Sequence, residues 1–446
     1  MDTLLNTLAD RITGVSIDTR TLCPGNLFVA LPGTRVDGHD FLQQAQNQGA
    51  VAALVEHPVA DCSLEQHVVP STQKALQALS VLWRQRWQGG LVAVTGSNGK
   101  TTVKEMTAAA LGGESCVLAT RGNLNNHLGV PLTLCRLQSQ HQHAVIEMGA
   151  NHPGEIAALV ALARPRVAVI TQAGAAHLEG FGSVAGVAAA KGEILDGLDA
   201  DGVAVLNADD AFAGAWRDRA LLSPGRRVLT YGFHPGADVR CDLESVQTWL
   251  DDDGFVTTAD IWLAGQPRQL TLRLAGQHNV HNALAALAVV LALGASIPDA
   301  LARLALLPPV KGRMQPVRHL RGGWMIHDAY NANPTSLLAA LEVVAALEQP
   351  CWLLLGAFAE LGDDSEALHV RLGEAARIMG VERLYATGEA ARHTVAGFGT
   401  GARFFAVQSA LTEAVEQDLQ PGVLLLVKGS RSQAMERVVA ALERTE

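Results

Sequence analysis

The sequence predicts an α/β protein of three domains, and three observations predict it. Between Leu91 and Pro309 short β-rich runs alternate with helical ones, the pattern of a mostly parallel sheet covered by helices. The alternation starts afresh after LLPPVKGR, where two prolines stop a helix. At 446 residues the chain also exceeds what one hydrophobic core usually organises.

The first domain is expected over residues 1–88. It holds the short strands NLFVAL and VAALV around an acidic, glycine-containing stretch, LPGTRVDGHDF, and ends at the polar break WRQRWQGG. The second, residues 89–309, reads LVAVTG then VKEMTAAAL, and AVIEMG then GEIAALVALA. VAVITQ follows, then a helix through AAAKGEIL, then VAVLN. The third, residues 310–446, contains WMIHD, CWLLLG, RLYATG, ARFFAV and VLLLVKG, each followed by a helical pattern, as in a smaller Rossmann-like unit.

Composition narrows the functions. Apolar residues make up 48% and charged ones 17%, which is globular, and a net charge of −10 argues against a general nucleic-acid surface. The six cysteines are scattered without C-x-x-C or zinc spacing, so reduced thiols are expected. MDTLLNTLADRITG does not read as a signal peptide. The uncharged run Ala283–Ile297 is shorter than the ~18 residues of a membrane span and reads as a buried helix. A cytoplasmic, monomeric protein without a membrane span or nucleic-acid partner is the expectation.

Open α/β sheets place ligands at the carboxyl ends of their strands, so residues there carry most weight. AVTGSNGKTT joins a strand to a helix through Gly96, Ser97, Asn98, Gly99, Lys100 and Thr101. Its glycines let backbone amides face an anion; Lys100 can reach β and γ phosphates and Thr101 can offer a hydroxyl to Mg²⁺. The longer P-loop spacing would need glycine where Val94 stands. Glu147 ends the run AVIE, where a second Mg²⁺ ligand would belong, or where a strand-end carboxylate simply meets water. His177 follows another strand, and Glu179 lies nearby. Lys191 sits among alanines, a setting that needs its charge paired or changed unless it reaches water. Asn279 and Asn282 open a helix and suit either an N-cap or an adenine edge. Arg313 follows the domain junction, and Asp328 ends a strand where ribose hydroxyls could donate. Asn331, Asn333 and Pro334 form a turn motif; Lys428, Ser430 and Arg431 make a cationic strand end.

In this order, TGSNGKTTVKEM, TRGNLNNHLGVPLT, AVIEMGANHPGEI, AAHLEGFGSVAGVAAAKGEI, GQHNVHNALAA, VKGRMQ, DAYNANPTS and LVKGSRS resemble the Mur ligases. The resemblance spans nearly the whole chain, including SIDTRTLCPGNLFVALPGTRVDGHDF, which is similar to the UDP-binding region of the family's dipeptide-adding and tripeptide-making members. The family's shorter T-G-x-x-G-K-[TS] loop accounts for Val94. GNLNN followed by GVP, and AAHLEGFGS, resemble the branch that adds a dipeptide. The resemblance implies a small UDP-sugar-binding domain, a central P-loop ATPase domain and a C-terminal Rossmann-like domain. The implied activity is ATP-dependent addition of D-alanyl-D-alanine to UDP-N-acetylmuramoyl-tripeptide through an acyl phosphate. It implies Mg²⁺ as cofactor and ATP as co-substrate.

Residue by residue, the resemblance implies that Thr95, Gly96, Ser97, Asn98, Gly99, Lys100, Thr101 and Thr102 wrap the phosphates. Thr101 and Glu147 would hold one Mg²⁺ and His177 a second, while Lys191, carbamylated in this family, would support the metal as an anion. Asn279 and Asn282 would meet adenine, Asp328 ribose and Arg313 a phosphate. Thr19, Arg20, Asn123, Asn125 and Asn126 would contact the UDP-sugar peptide. Asn331, Asn333, Lys428 and Arg431 would serve the incoming dipeptide or the closed state. The chain departs from the family's G-D-M-x-E-L-G by reading GAFAELG, with Ala357 in place of the aspartate; Glu360 and Gly362 are kept. A sibling adding one amino acid, a folylpolyglutamate synthetase-like ligase and an ATP-hydrolysing switch are the competing readings. The UDP-like N-terminal segment argues against the folate enzyme, and the switch needs no UDP-sugar site.

Overall fold

The computed structural model describes residues 2–33, 36–174, 178–359 and 361–444. Its strands form three sheets. The first is parallel and runs in chain order: β1 (Gly14–Ser16), β2 (Asn26–Val29), β3 (Ala52–Val55) and β4 (Gln66–Val68). NLFVAL and VAALV supply the two inner strands. The outer two span three residues each, too few to display a period of two.

The second sheet has ten strands. Seven are parallel: β5 (Gly90–Thr95), β6 (Val117–Ala119), β7 (His143–Glu147), β8 (Val167–Ile170), β9 (Val203–Asn207), β10 (Arg227–Gly232) and β11 (Val239–Cys241). Their order is β6-β7-β5-β8-β9-β10-β11. On β5, Val92 and Val94 enter one core while Leu91 and Ala93 enter the other, as a strand covered on both faces must. Leu91, Val92 and Val94 each contribute about 1.5–3 kcal/mol on burial. The helices Lys100–Ala110 and Gln277–Leu293 cover the Val92 face; Glu155–Ala163 and Val184–Gly192 cover the Leu91 face.

The run beginning at Ala283 belongs to that buried helix. Every residue from Ala283 to Val290 is inaccessible, which suits a helix apolar all round. It stops at Gly294, whose φ of 69° completes a left-handed cap. No helix among the described residues is long and apolar enough to cross a membrane.

An antiparallel extension, β12 (Gln247–Asp251), β13 (Gly254–Leu263) and β14 (Gln266–Leu272), joins through β13 to β11 and lies outside the βα alternation. Its strands mix charged and apolar residues, and the first four residues of β14 are exposed, so no strong apolar run marks it.

The third sheet orders β15 (Gln315–Arg318), β16 (Trp324–Asp328), β20 (Leu424–Lys428), β17 (Cys351–Gly356), β18 (Val381–Thr387) and β19 (Ala402–Phe405). All pairs are parallel except β15 with β16. Phe255 and Ala275, from before the junction, pack in one core with Ile326 and Leu337. Arg84, on the helix Thr72–Arg86, donates to the carbonyls of Ala163 and Arg164 at 2.7 and 2.9 Å, tying the first sheet's flanking helix to the second unit.

Asn333 caps the helix Pro334–Ala346 in a reciprocal capping box with Ser336, and its Nδ2 also donates to Asn98 Oδ1 at 2.6 Å. Asn333→Ala is therefore expected to lower unfolding stability by about 1 kcal/mol. Asn333→Asp, which keeps the cap acceptor, should lose less; equal thermal midpoints for wild type and Asn333→Ala would contradict this.

Candidate active site

The second sheet reverses direction at β5. The chain passes from β5 out to β6, returns through β7, then crosses to β8 on the other side. Such a switch point opens a crevice at the strands' carboxyl ends, and the loop Gly96–Gly99 lies there. Gly96 has φ 147°, and a Cβ on it would stand 1.9 Å from Thr171 Oγ1. Gly99 is the left-handed N-cap of the helix Lys100–Ala110, and a Cβ there would stand 2.6 Å from Asn282 Oδ1. Only glycine lets this turn close against β8 and the helix Gln277–Leu293.

The loop lines a cleft of about 1780 Å³ shared by the second and third units. Ser97, Asn98, Gly99, Lys100, Thr101 and Thr102 line it. Thr95 does not, since its hydroxyl is buried and donates to Met148 O at 2.8 Å. Lys100 folds back, donating to Gly96 O at 2.6 Å and Ser97 O at 3.1 Å. Burial holds its pKa below the ordinary lysine value, with Glu147 opposing and Arg313 adding to the shift.

Glu147 ends β7 beside the loop, because Val94 pairs with it across the sheet. It is 2% exposed; Oε1 accepts from Asn125 Nδ2 at 2.8 Å, while Oε2, also buried, has no partner among the described residues. An orphaned carboxylate oxygen close to a hydroxyl-bearing phosphate loop fits a hard divalent cation with oxygen ligands. Thr101 Oγ1 accepts from Arg313 Nη2 at 3.0 Å, and the guanidinium stacks on Tyr330, 4.5 Å from its centroid. Arg313 thus reaches the phosphate loop from across the domain junction.

Lys191 is 2% exposed and lines the cleft, its ammonium 5.4 Å from the Phe181 centroid. Among the described residues it forms no hydrogen bond or ion pair. Burial, reinforced by Lys100, lowers its pKa to about 7, against the attraction of Glu193 and Glu155. An amine lowered this far has a substantial neutral, nucleophilic fraction near neutral pH, which an ordinary lysine lacks. It does not reach water in the manner of a snorkelling lysine. His177 lies outside the described residues, as does the side chain of Glu179.

The other expected residues divide. Asn279 and Asn282 are not N-caps, since that position belongs to Gly276. Asn279 Nδ2 donates to Ala275 O at 2.8 Å, and its Oδ1 accepts from Asn282 Nδ2 at 3.2 Å; both residues line the cleft. Asp328 and Lys428 end adjacent strands in register and form a buried ion pair, with Asp328 Oδ1 also accepting from Met314 N at 3.1 Å. Asn331 accepts from Ala332 N, Asn333 caps its helix, and Arg431 pairs with Glu436, all at the cleft's rim. Asn123 and Asn125 line the cleft too. Asn126 lines it while accepting from Leu128 N and Gly129 N.

Thr19 and Arg20 lie outside the cleft. Thr19 is buried in a short 3₁₀ turn, and Arg20 is paired with Asp18 on the surface. Ala357 is buried against Gly388 and Ser430: its carbonyl accepts from Ser430 Oγ at 2.9 Å, and a Gly388 Cβ would come within 2.8 Å of its own.

One wall was missing from the sequence reading. His281 Nε2 lies 3.1 Å from Asn207 Oδ1 and 3.2 Å from Asp209 Oδ2, and its ring centroid is 5.0 Å from that of Tyr231 and 5.5 Å from that of Phe233. Asn207 ends the strand VAVLN, so the strand-end rule applied to that run could have found it.

A parallel sheet with a short phosphate loop, a buried carboxylate beside it and a second α/β unit lining the same cleft is the arrangement of a P-loop nucleotide-using enzyme. Residues 11–84, 94–290 and 312–431 match the families described as Mur ligase family, catalytic domain; Mur ligase middle domain; and Mur ligase, glutamate ligase domain. The chain belongs to the Mur ligase family. It is 43% identical over 97% of its length to the UDP-N-acetylmuramoyl-tripeptide–D-alanyl-D-alanine ligase of Escherichia coli, covering 94% of that protein. The Bacillus subtilis protein of the same name is 34% identical over 97% of the chain and 93% of its own length. The solved MurF of Acinetobacter baumannii superposes with a TM-score of 0.88 at 33% identity, covering 98% and 97% of the two chains. A Thermotoga maritima MurF ligase in complex with ADP gives 0.84 at 27% identity, covering 97% of each.

Proposed function

We propose that this chain joins D-alanyl-D-alanine to UDP-N-acetylmuramoyl-tripeptide at the expense of ATP, giving the pentapeptide precursor of peptidoglycan. The observation that carries the mechanism is the common cleft, where the phosphate loop, the open oxygen of Glu147 and buried Lys191 meet residues of the third unit. The reaction balances in two steps. A tripeptide carboxylate oxygen attacks the γ-phosphorus of ATP, breaking its bond to the β,γ-bridging oxygen and releasing ADP. The dipeptide amine then attacks the acyl-phosphate carbonyl; the tetrahedral intermediate loses inorganic phosphate and the amine's proton, leaving the amide.

A carboxylate is a poor acyl donor, so phosphorylation supplies the leaving group, and positioning with charge neutralisation does most of the rest. Thr101 and Glu147 are the residues that would hold Mg²⁺, with His177 and carbamylated Lys191 supporting a second ion. Mg²⁺ would neutralise phosphate charge. Backbone amides of residues 96–101 cradle the phosphates and Lys100 turns from its carbonyl partners to the transferring group. Asn279 and Asn282 face adenine, Asp328 the ribose, and Arg313 a phosphate from across the junction. Thr19, Arg20, Asn123, Asn125 and Asn126 bind the UDP-sugar peptide; Asn331, Asn333, Lys428 and Arg431 bind the dipeptide or the closed state. The first unit already reaches the cleft through Gln77, and for Thr19 and Arg20 the substrate must extend beyond the cleft to their turn. Domain limits at 1–88, 89–309 and 310–446, a monomer, and a cytoplasmic reaction complete the reading.

Purified protein with ATP and Mg²⁺ should turn over ATP continuously, releasing many ADP per site, only when both the tripeptide substrate and D-alanyl-D-alanine are present. Equal ATP turnover without either acceptor overturns the ligase; faster turnover with single amino acids overturns the dipeptide assignment.

A further inference from the structure

Lys104 is fully buried, with 0% of its surface exposed, and the reaction as described makes no use of it. It lies three residues after Thr101 on the helix Lys100–Ala110. Its Nζ donates to Thr120 O at 2.6 Å and lies 2.8 Å from Glu105 Oε1. Thr120 follows β6, and its own hydroxyl accepts from Glu147 N at 3.0 Å. Further along the same segment, Asn125 donates to Glu147 Oε1, and Asn125 O accepts from Gly149 N at 2.9 Å. Residues 120–125 therefore hold Glu147 by its backbone and by its carboxylate. Lys104 fastens that segment to the helix bearing Thr101.

Desolvating an ammonium is unfavourable, and an apolar side chain would fill the same space without that penalty. The expenditure makes sense if the charge-assisted bond to Thr120 O fixes a distance. We infer that Lys104 is a positioning residue for the metal site, setting the spacing between Thr101 and Glu147 through Thr120. The inference rests on the reading of those two residues as metal ligands. Partners that touch a metal ligand directly typically change metal affinity by about 10–100-fold when lost, and Lys104, which acts through Thr120, belongs at the lower end of that range.

The test is Mn²⁺ binding, followed by electron paramagnetic resonance, to the full chain saturated with the β,γ-imido analogue of ATP. Lys104→Met and Thr120→Val should each bind Mn²⁺ about tenfold more weakly. Affinity for the analogue in EDTA should stay within about twofold, and Thr120→Ser, which keeps the acceptor, should match wild type. Unchanged Mn²⁺ affinity in both altered chains overturns the inference, as does a parallel loss of analogue affinity in EDTA. If Lys104→Met does not fold, Lys104→Gln, which also removes the ammonium, decides, with the same loss of Mn²⁺ affinity expected and unchanged affinity overturning the inference. Absence of Mn²⁺ binding to the wild-type complex would instead remove the metal reading, and this inference with it.

Discussion

Lys100→Ala is expected to lower turnover for amide-bond formation by about 10²- to 10³-fold, roughly 3–4 kcal/mol of lost transition-state stabilisation. Lys100 starts the helix Lys100–Ala110, so the helix dipole and the lysine charge act at one place. Its ammonium is held by Gly96 O and Ser97 O. Nucleotide phosphate would replace those carbonyls, exchanging neutral acceptors for charged ones in a cleft that screens poorly. Alanine removes the charge without disturbing Gly96 or Gly99, whose conformations set the loop. The loss should therefore appear in turnover, while affinity for UDP-N-acetylmuramoyl-tripeptide, which requires no phosphate transfer, should change little. ADP release under saturating substrates measures the first and calorimetry the second. More than a tenth of wild-type turnover in Lys100→Ala would remove the phosphate-loop assignment.

Lys191→Met is expected to separate stability from activity. Burial holds the Lys191 pKa at about 7, against 10.5 for an ordinary lysine. Between those values the unfolded chain binds more protons than the folded one, so stability rises with pH across that window. The cost of burying this group is complete below about pH 7 and vanishes towards pH 10.5. In buffer purged of CO₂, Lys191→Met should therefore be more stable than wild type at pH 7, by about 2 kcal/mol or more, with the advantage shrinking as pH rises. Ligation should fall by about 10²-fold in the same variant, the usual exchange when a destabilising functional group is removed. Purging CO₂ should also slow the wild type and bicarbonate restore it, with no response from Lys191→Met. A stability difference independent of pH would contradict the burial argument; activity indifferent to CO₂ would contradict the carbamate.

The strands that carry the site were legible because both faces are buried. Runs such as VAVLN, WMIHD and CWLLLG coincide with β9, β16 and β17 residue for residue. The phosphate loop was legible because glycine and lysine at that spacing have a local meaning, which here required positive φ at Gly96 and Gly99. Asn333 was legible as turn chemistry, and it does cap a helix. Its bond to Asn98 was not, because 235 residues separate the two.

By itself the sequence determined three α/β units, the strand-to-helix turn at AVTGSNGKTT and the apolar setting of Lys191, all properties of neighbouring residues. Only the tertiary structure decided which strand ends meet. Parallel strands are paired through long crossovers, so neighbours in the sheet are distant in the chain. Val94 stands beside Glu147, and Asp328 beside Lys428, for that reason. Lys104 shows the same limit from the other side: in the sequence it is a polar residue on a helix, and only folding places its charge on Thr120 O, inside the packing that holds Glu147.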